Sequence, residues 1–246
     1  MQANQTSSFR NYLFFWIGQL ISLLGSSIAQ FVIIWWITLE TGNPLYLSLA
    51  SFLGLAPAVI IAPFAGVLVD RWNRKFLIGF VDFLQALAIV LLIILFWLGI
   101  VAYWHILLLL TLRGIFQAFH SPAVSAIVPL MVPKEKLSRM NGLNYLFSGA
   151  VTLVGPVLAA LMLGLWKIHQ ILWIDVITFL VALFPLFIIK IPPVRMKQDQ
   201  SSFKEDFLEG FSFIKKTRGL LPLLTLATAL NFLLTPLSTL LPYYVK

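Results

Sequence analysis

Gly66-Val67-Leu68-Val69-Asp70-Arg71-Trp72-Asn73-Arg74-Lys75 places four charges in a short turn between two long apolar runs, Leu45 to Val69 and Phe76 to Val101. Each run exceeds the roughly 20 residues that an α-helix needs to cross a bilayer. The turn is therefore where the chain leaves the membrane on one side and re-enters it. Arg71, Arg74 and Lys75 have a plain reading, because short loops on the cytoplasmic side collect Lys and Arg. That reading does not account for the spacing of Gly66 and Asp70.

Outward from this turn the whole chain has the same character. Of its 246 residues 60% are hydrophobic and 11% charged, with a mean hydropathy of +0.96. Soluble domains carry about 25% charged residues, so the composition specifies an integral membrane protein. Seven runs are long enough to span: Tyr12 to Leu39, Leu45 to Val69, Phe76 to Val101, Trp104 to Leu130, Met140 to Trp166, Ile171 to Ile191 and Leu220 to Val245. None alternates polar with apolar residues as a barrel strand does. The expected class is an all-α membrane protein. The first run is too long for the apolar core of a signal peptide and is expected to remain as a span.

Of the 17 Lys and Arg, all but Arg113, Lys167 and Lys246 fall before the first run, in the 71–75 turn, in 134–139 or in 190–218. This asymmetry predicts a multi-pass protein of the inner (cytoplasmic) membrane with its N-terminus inside. The net charge of +8 is then a matter of topology, and no nucleic-acid partner is expected. There are no cysteines, which removes disulfides, iron–sulfur clusters and thiolate zinc sites; no cofactor or metal is expected.

The longest polar stretch is 192–219. After Pro192-Pro193, Ser202-x-x-Glu205 has the form of a capping box. Phe203, Phe207, Leu208, Phe211 and Ile214 then recur at helical spacing opposite Lys204, Glu205, Glu209 and Lys216. This predicts a short amphipathic helix on the inner membrane surface, and divides the chain into a six-span unit (1–191), a cytoplasmic linker (192–219) and a seventh span (220–246).

Polar residues inside spans are costly and so mark function or tight packing. Gln19, Ser22, Ser26 and Gln30 lie on one face of span one. Arg113, Gln117 and His120 do so on span four, and Thr228, Asn231, Thr235 and Ser238 on span seven. Spans three and six contribute chiefly Asp82 with Gln85, and Asp175 with Thr178. Any one Ser, Thr or Gln can serve simply to bond neighbouring helices. Arg113 is a different case, since a guanidinium does not shed its proton; it needs Asp82 or another acid, water, or an anionic ligand. His120 is of the type that titrates near neutrality, but a packed, hydrogen-bonded histidine is the commoner situation.

Small residues form a further pattern. Ala50, Gly54, Ala58, Ala62 and Gly66 repeat every four residues along span two, and Ser148, Thr152, Gly155 and Ala159 line span five. Such stripes let helix backbones approach closely. Pro156 frees a carbonyl and permits a bend at Gly155-Pro156.

The pattern Gly66-x-x-x-Asp70-Arg71-x-x-Arg74 between spans two and three resembles the signature loop of the major facilitator superfamily of secondary transporters. Arg113-Gly114-Ile115-Phe116-Gln117 is similar to a second family motif in span four, with Ala118 where glycine is usual. Gly155-Pro156 resembles the core of the family's antiporter motif, with Ala159-Ala160 in place of two glycines. Together with Gly18-Gln19, Thr41-Gly42, Ala118 to Ala123 and Val132 to Glu135, these residues resemble the macrolide efflux branch of that superfamily.

The resemblance implies an N-terminal six-helix bundle of the major facilitator fold plus one further helix. It implies proton-driven export of hydrophobic, macrolide-like cations, so the expected partners are a small hydrophobic substrate, protons and lipid. It implies gating by Gly66, Asp70, Arg71 and Arg74; a cavity or proton-coupling role for Arg113, Gln117, Gln19, Gln30, Asn231 and Asp82; and a bend at Gly155 and Pro156.

Relatives in this branch also export siderophores. Twelve-span family members place their site between two repeats, and this sequence stops at Lys246. It is therefore expected to be a truncated product or fragment, whose small-residue faces await helices of a second half; a half-protein pairing with another chain is the alternative. An ATP-driven exporter is disfavoured by the lack of Gly-x-x-x-x-Gly-Lys. An intramembrane enzyme is disfavoured by the lack of Cys, His-Glu-x-x-His and Gly-x-Ser-x-Gly.

Overall fold

The computed structural model describes residues 2–189, 191 and 212–245, with side chains described for 8–189, 191 and 212–235. The helices are α1 (Gln2–Thr41), α2 (Pro44–Arg71), α3 (Arg74–Trp97), α4 (Tyr103–Met131), α5 (Lys134–Leu163), α6 (Ile168–Ile188) and α7 (Leu220–Val245). Among the described residues, α1 to α6 are long and apolar enough to cross a membrane. The all-α expectation is met. The amphipathic helix expected after Pro193 falls mostly outside the described residues; 212–216 is helical.

The helices extend past the apolar runs at several ends. The run beginning at Met140 starts as a helix at Lys134, directly after the N-cap residue Pro133, because polar residues beyond an apolar run still form helix. Between helices the chain turns tightly. Asn43 Oδ1 accepts from Leu45 N at 2.9 Å to cap α2, with Pro44 opening the helix. Gly42 supplies the left-handed residue after α1 at φ 56°. In the charged turn only Trp72 and Asn73 lie outside helix, and Asn73 Oδ1 caps α3 by accepting from Phe76 N at 3.2 Å.

Two helices organise the bundle. α1 packs along α6 and α5, while α4 packs along α2 and α3, with α3 also against α6. Glycines set the closest approaches. A Cβ on Gly18 would stand 2.7 Å from Pro185 Cγ, and one on Gly25 would run into Thr178 Oγ1, so α1 and α6 meet backbone to side chain over two turns. A Cβ on Gly114 would reach Gly54 O at 2.5 Å, joining α4 to α2. One on Gly155 would meet the Ser27 side chain, joining α5 to α1.

These contacts account for part of the small-residue faces of spans two and five, which were expected to await absent helices; Ala62 of span two stays exposed. Their Ala50, Gly54, Gly155 and Ala159 positions are used inside the bundle, where Ala50 and Ala159 are buried. Gly66 has no neighbour within 4 Å of a Cβ position. The core forms one cluster around Phe15, Ile78 and Ile127, which includes Val69 and Leu77 beside the charged turn, and another around Ile33, Ile89 and Ile106.

Candidate functional site

The bundle holds a largely apolar cavity of about 690 Å³, lined from α1 to α7, into which a set of polar and charged side chains converges. Helix periodicity brings its residues together: α1 supplies Gln19, Ser22, Ser26 and Gln30, and α4 supplies Arg113, Gln117 and His120. Both are the stripes read from the sequence. α3 adds Asp82 and Gln85, and α6 adds Asp175.

Arg113 is 12% and Asp175 8% exposed, and Arg113 Nη1 donates to Asp175 Oδ2 at 3.2 Å. The other carboxylate oxygen, Oδ1, accepts from Ser26 Oγ at 2.7 Å. One acid of α6 is thus held by α1 and α4 together. The sequence offered Asp82 or another acid as the partner of Arg113; the structure selects Asp175. Asp82 instead stands 2.9 Å from His120, Oδ1 to Nε2. The oxygen lies off the direction in which the ring N–H would donate, so Nε2 is buried without a formed hydrogen bond. Gln19 Nε2 is also buried with no hydrogen-bond acceptor. Gln117 donates to Ser121 Oγ at 3.0 Å along its own helix.

Two expectations are changed. Asn231 is exposed, donates to Ala227 O at 2.9 Å and is not among the lining residues; of the α7 stripe, Thr235 reaches the cavity. On α5, Ser148 and Thr152 line the cavity together with Asn144, which accepts from Trp16 Nε1 at 3.1 Å. The sequence treated Ser148 and Thr152 as packing residues and singled out neither Asn144 nor Asp175 as a site residue. Asp175 did carry a signal, as one of two acids inside the spans.

The charged turn is stitched to its own bundle. Arg74 donates to Asp70 Oδ1 at 3.1 Å and to Ala126 O of α4 at 3.0 Å. Lys75 Nζ donates to Phe187 O at 2.8 Å and Ile189 O at 2.9 Å, at the end of α6. Asp70 keeps a carboxylate that is 73% exposed. Gly66 and Arg71 lie on the last turns of α2, Arg71 exposed. Gly155 is buried against α1, and Pro156 sits within an unbroken α5. Among the described residues no cluster of His, Cys, Asp or Glu has metal-site geometry.

Residues 15–246 match the family described as Major Facilitator Superfamily. Macrolide efflux protein A of Streptococcus pyogenes is 35% identical over 230 residues, covering 92% of this chain and 56% of that protein. Its namesake in Enterococcus faecalis is 33% identical over 204 residues, 82% of this chain and 62% of the relative. The Staphyloferrin A transporter of Staphylococcus aureus is 21% identical over 191 residues, 77% and 48%. The chain thus spans about half the length of these relatives.

Proposed function

The chain belongs to the major facilitator superfamily, and from that premise we propose that it forms the first repeat, the linker and the opening helix of the second repeat of a proton-driven exporter of hydrophobic, macrolide-like drugs. The observation that carries this reading is the buried charge in the cavity. Ionised groups inside a membrane domain are retained for transport pathways and proton relays. A volume of about 690 Å³ lies within the range of about 300–1,000 Å³ typical of small-molecule sites. The lining holds Asp82 and Asp175 against Arg113, with His120 as the remaining basic group. Two carboxylates against one guanidinium give the lining a formal excess of one negative charge, which favours a hydrophobic cation.

The gating role belongs to the α2–α3 turn. Asp70 presents its exposed carboxylate beside Gly66, where a Cβ would meet nothing. A neighbouring helix can approach at Gly66 and place its N-terminus on Asp70, where negative charge is favoured. Breaking that latch would open the inner side in the alternating cycle. The proposed orientation is N-terminus inside, in the cytoplasmic membrane, which the Lys and Arg distribution supports.

The test uses inverted membrane vesicles from cells producing the complete gene product. Uptake of a labelled macrolide is expected, collapsing when a protonophore is added. Uptake that persists without a proton gradient and requires ATP would refute the reading. The second reading, a substrate such as staphyloferrin A, follows the Staphylococcus aureus relative and ranks lower on identity, 21% against 35%. Competition between the two compounds in the same vesicles separates them.

A further inference from the structure

We infer that the cavity is built in two tiers with different duties: Asp175–Arg113 is a fixed ion pair that joins helices, and Asp82–His120 is the pair that holds the exchangeable proton. The inference rests on the proton-antiport reading and assigns residues to it.

The tiers follow from helix geometry. Gln19 precedes Ser26 by seven residues on α1, and Arg113 precedes His120 by seven on α4. At 1.5 Å rise per residue these offsets are about 10 Å each. α1 and α4 run in opposite directions, so Gln19 and His120 both lie one such step toward the inner ends of their helices. Asp82, in the third turn of α3, stands at that inner level and contacts His120. Ser26, Arg113 and Asp175 form the upper level.

The tiers differ in how completely their groups are satisfied. Both oxygens of Asp175 are engaged, one by a hydroxyl and one by a guanidinium. Placing a proton on Asp175 would leave Arg113 buried beside a neutral group, and an uncompensated buried charge is among the costliest defects a protein can carry. Arginine cannot offset this by losing its own proton. A proton cycling through Asp175 would therefore break the link between α1, α4 and α6 at every turn.

The inner tier has no such penalty. Asp82 faces a histidine, whose charge is itself variable. The other charged or titratable groups facing the cavity are Tyr12 of α1, Arg113 of α4 and Asp175 of α6. α2, α5 and α7 supply none among the described residues. Two donors at this level, His120 Nε2 and Gln19 Nε2, lack hydrogen-bond partners. One proton can enter the pair: it sits on a carboxylate oxygen of Asp82, and the imidazole beside it sets how readily it leaves. When a cationic substrate enters, that proton leaves and the charge of the site is unchanged. His120 and Gln19 have only to rotate, while the upper tier stays bonded.

The experiment is pH-difference infrared spectroscopy of the complete gene product in lipid nanodiscs, with isotope-labelled aspartate. One buried carboxyl is expected to titrate. Its signal should be lost in Asp82→Asn and persist in the double variant Arg113→Gln/Asp175→Asn, which removes both upper charges together. The reverse pattern, or no titrating buried carboxyl in the unaltered protein, overturns the assignment. Should Asp82→Asn fail to fold, His120→Gln serves instead. It should move the transition by about one pH unit, the size of effect a neighbouring charge has, and an unmoved transition counts against the pair. Adding a macrolide to the unaltered protein reads the coupling separately. A carboxyl signal located at Asp82 that ignores the drug would refute antiport and not the location of the proton.

Discussion

At the residue scale, the same amino acid has opposite consequences at different points of the bundle. Gly25 lies where α1 and α6 touch, and a Cβ there would strike Thr178 Oγ1 and come within 3.1 Å of Asp175 Cα. Gly66 has no neighbour within 4 Å. Gly25→Ala is expected to destabilise the 246-residue chain by about 1–3 kcal/mol, the cost of overpacking. Gly66→Ala is expected to be neutral or to stabilise by up to about 1 kcal/mol, since alanine is the better helix former. Thermal unfolding in detergent checks the pair, and equal losses at both positions would contradict the packing described.

The sequence makes the buried charges visible but not their pairing. Arg113 demands an acid, and only Asp82 and Asp175 lie within spans; which one answers depends on the rotation of α3 and α6 about their axes. That rotation is fixed by tertiary contacts such as Gly25 against Thr178, which no periodicity within one helix encodes.

At the element scale, the charged α2–α3 turn does more than collect positive charge at one end of the bundle. The last carbonyls of a helix have no partner within it, and those of α6 receive Lys75 Nζ from 112 and 114 residues away. A cation is also favoured at a helix C-terminus. Lys75→Met keeps the aliphatic stem and removes the donor. It should speed amide exchange at Ile188 and Ile189 about fivefold, corresponding to about 1 kcal/mol for a charge-assisted bond at a partly exposed site. Unchanged exchange there would show that the end of α6 is held by packing alone.

Helix α5 shows why a small-residue stripe can mislead. Asn144, Ser148, Thr152, Gly155 and Ala159 share one face, yet Gly155 and Ala159 are buried while Ser148 and Thr152 line the cavity. One stripe therefore packs tightly toward the C-terminal end of α5 and opens toward its N-terminal end. The pattern specifies a face; the inclination of the helix decides what that face meets.

At the scale of the whole molecule, the class, the first six spanning runs and the polar faces of α1 and α4 were legible, because each depends on composition or on period within a single element. The 690 Å³ cavity was not, since it depends on how the helices lean together. Orientation can be tested directly, as the chain has no cysteine to confuse labelling. Lys136→Cys and Lys167→Cys place single thiols at exposed positions at opposite ends of the bundle. In intact cells a membrane-impermeant maleimide should label position 167 and reach position 136 only after permeabilisation. The opposite result would invert the topology.

The pairing of the first helix with the sixth also sets the order of events during synthesis. Ser26 meets Asp175 only after 149 further residues have been made. At about 5–20 residues per second the ribosome needs about 7 to 30 s to deliver that partner. Throughout this interval α1 is already in the membrane with Gln19, Ser22, Ser26 and Gln30 lacking the cavity they will line. Lipid offers those side chains no hydrogen-bond partners, so the polar stripe of the first helix is least satisfied until the sixth emerges. The longest-range contact of the cavity is therefore also the last that synthesis can complete among α1 to α6.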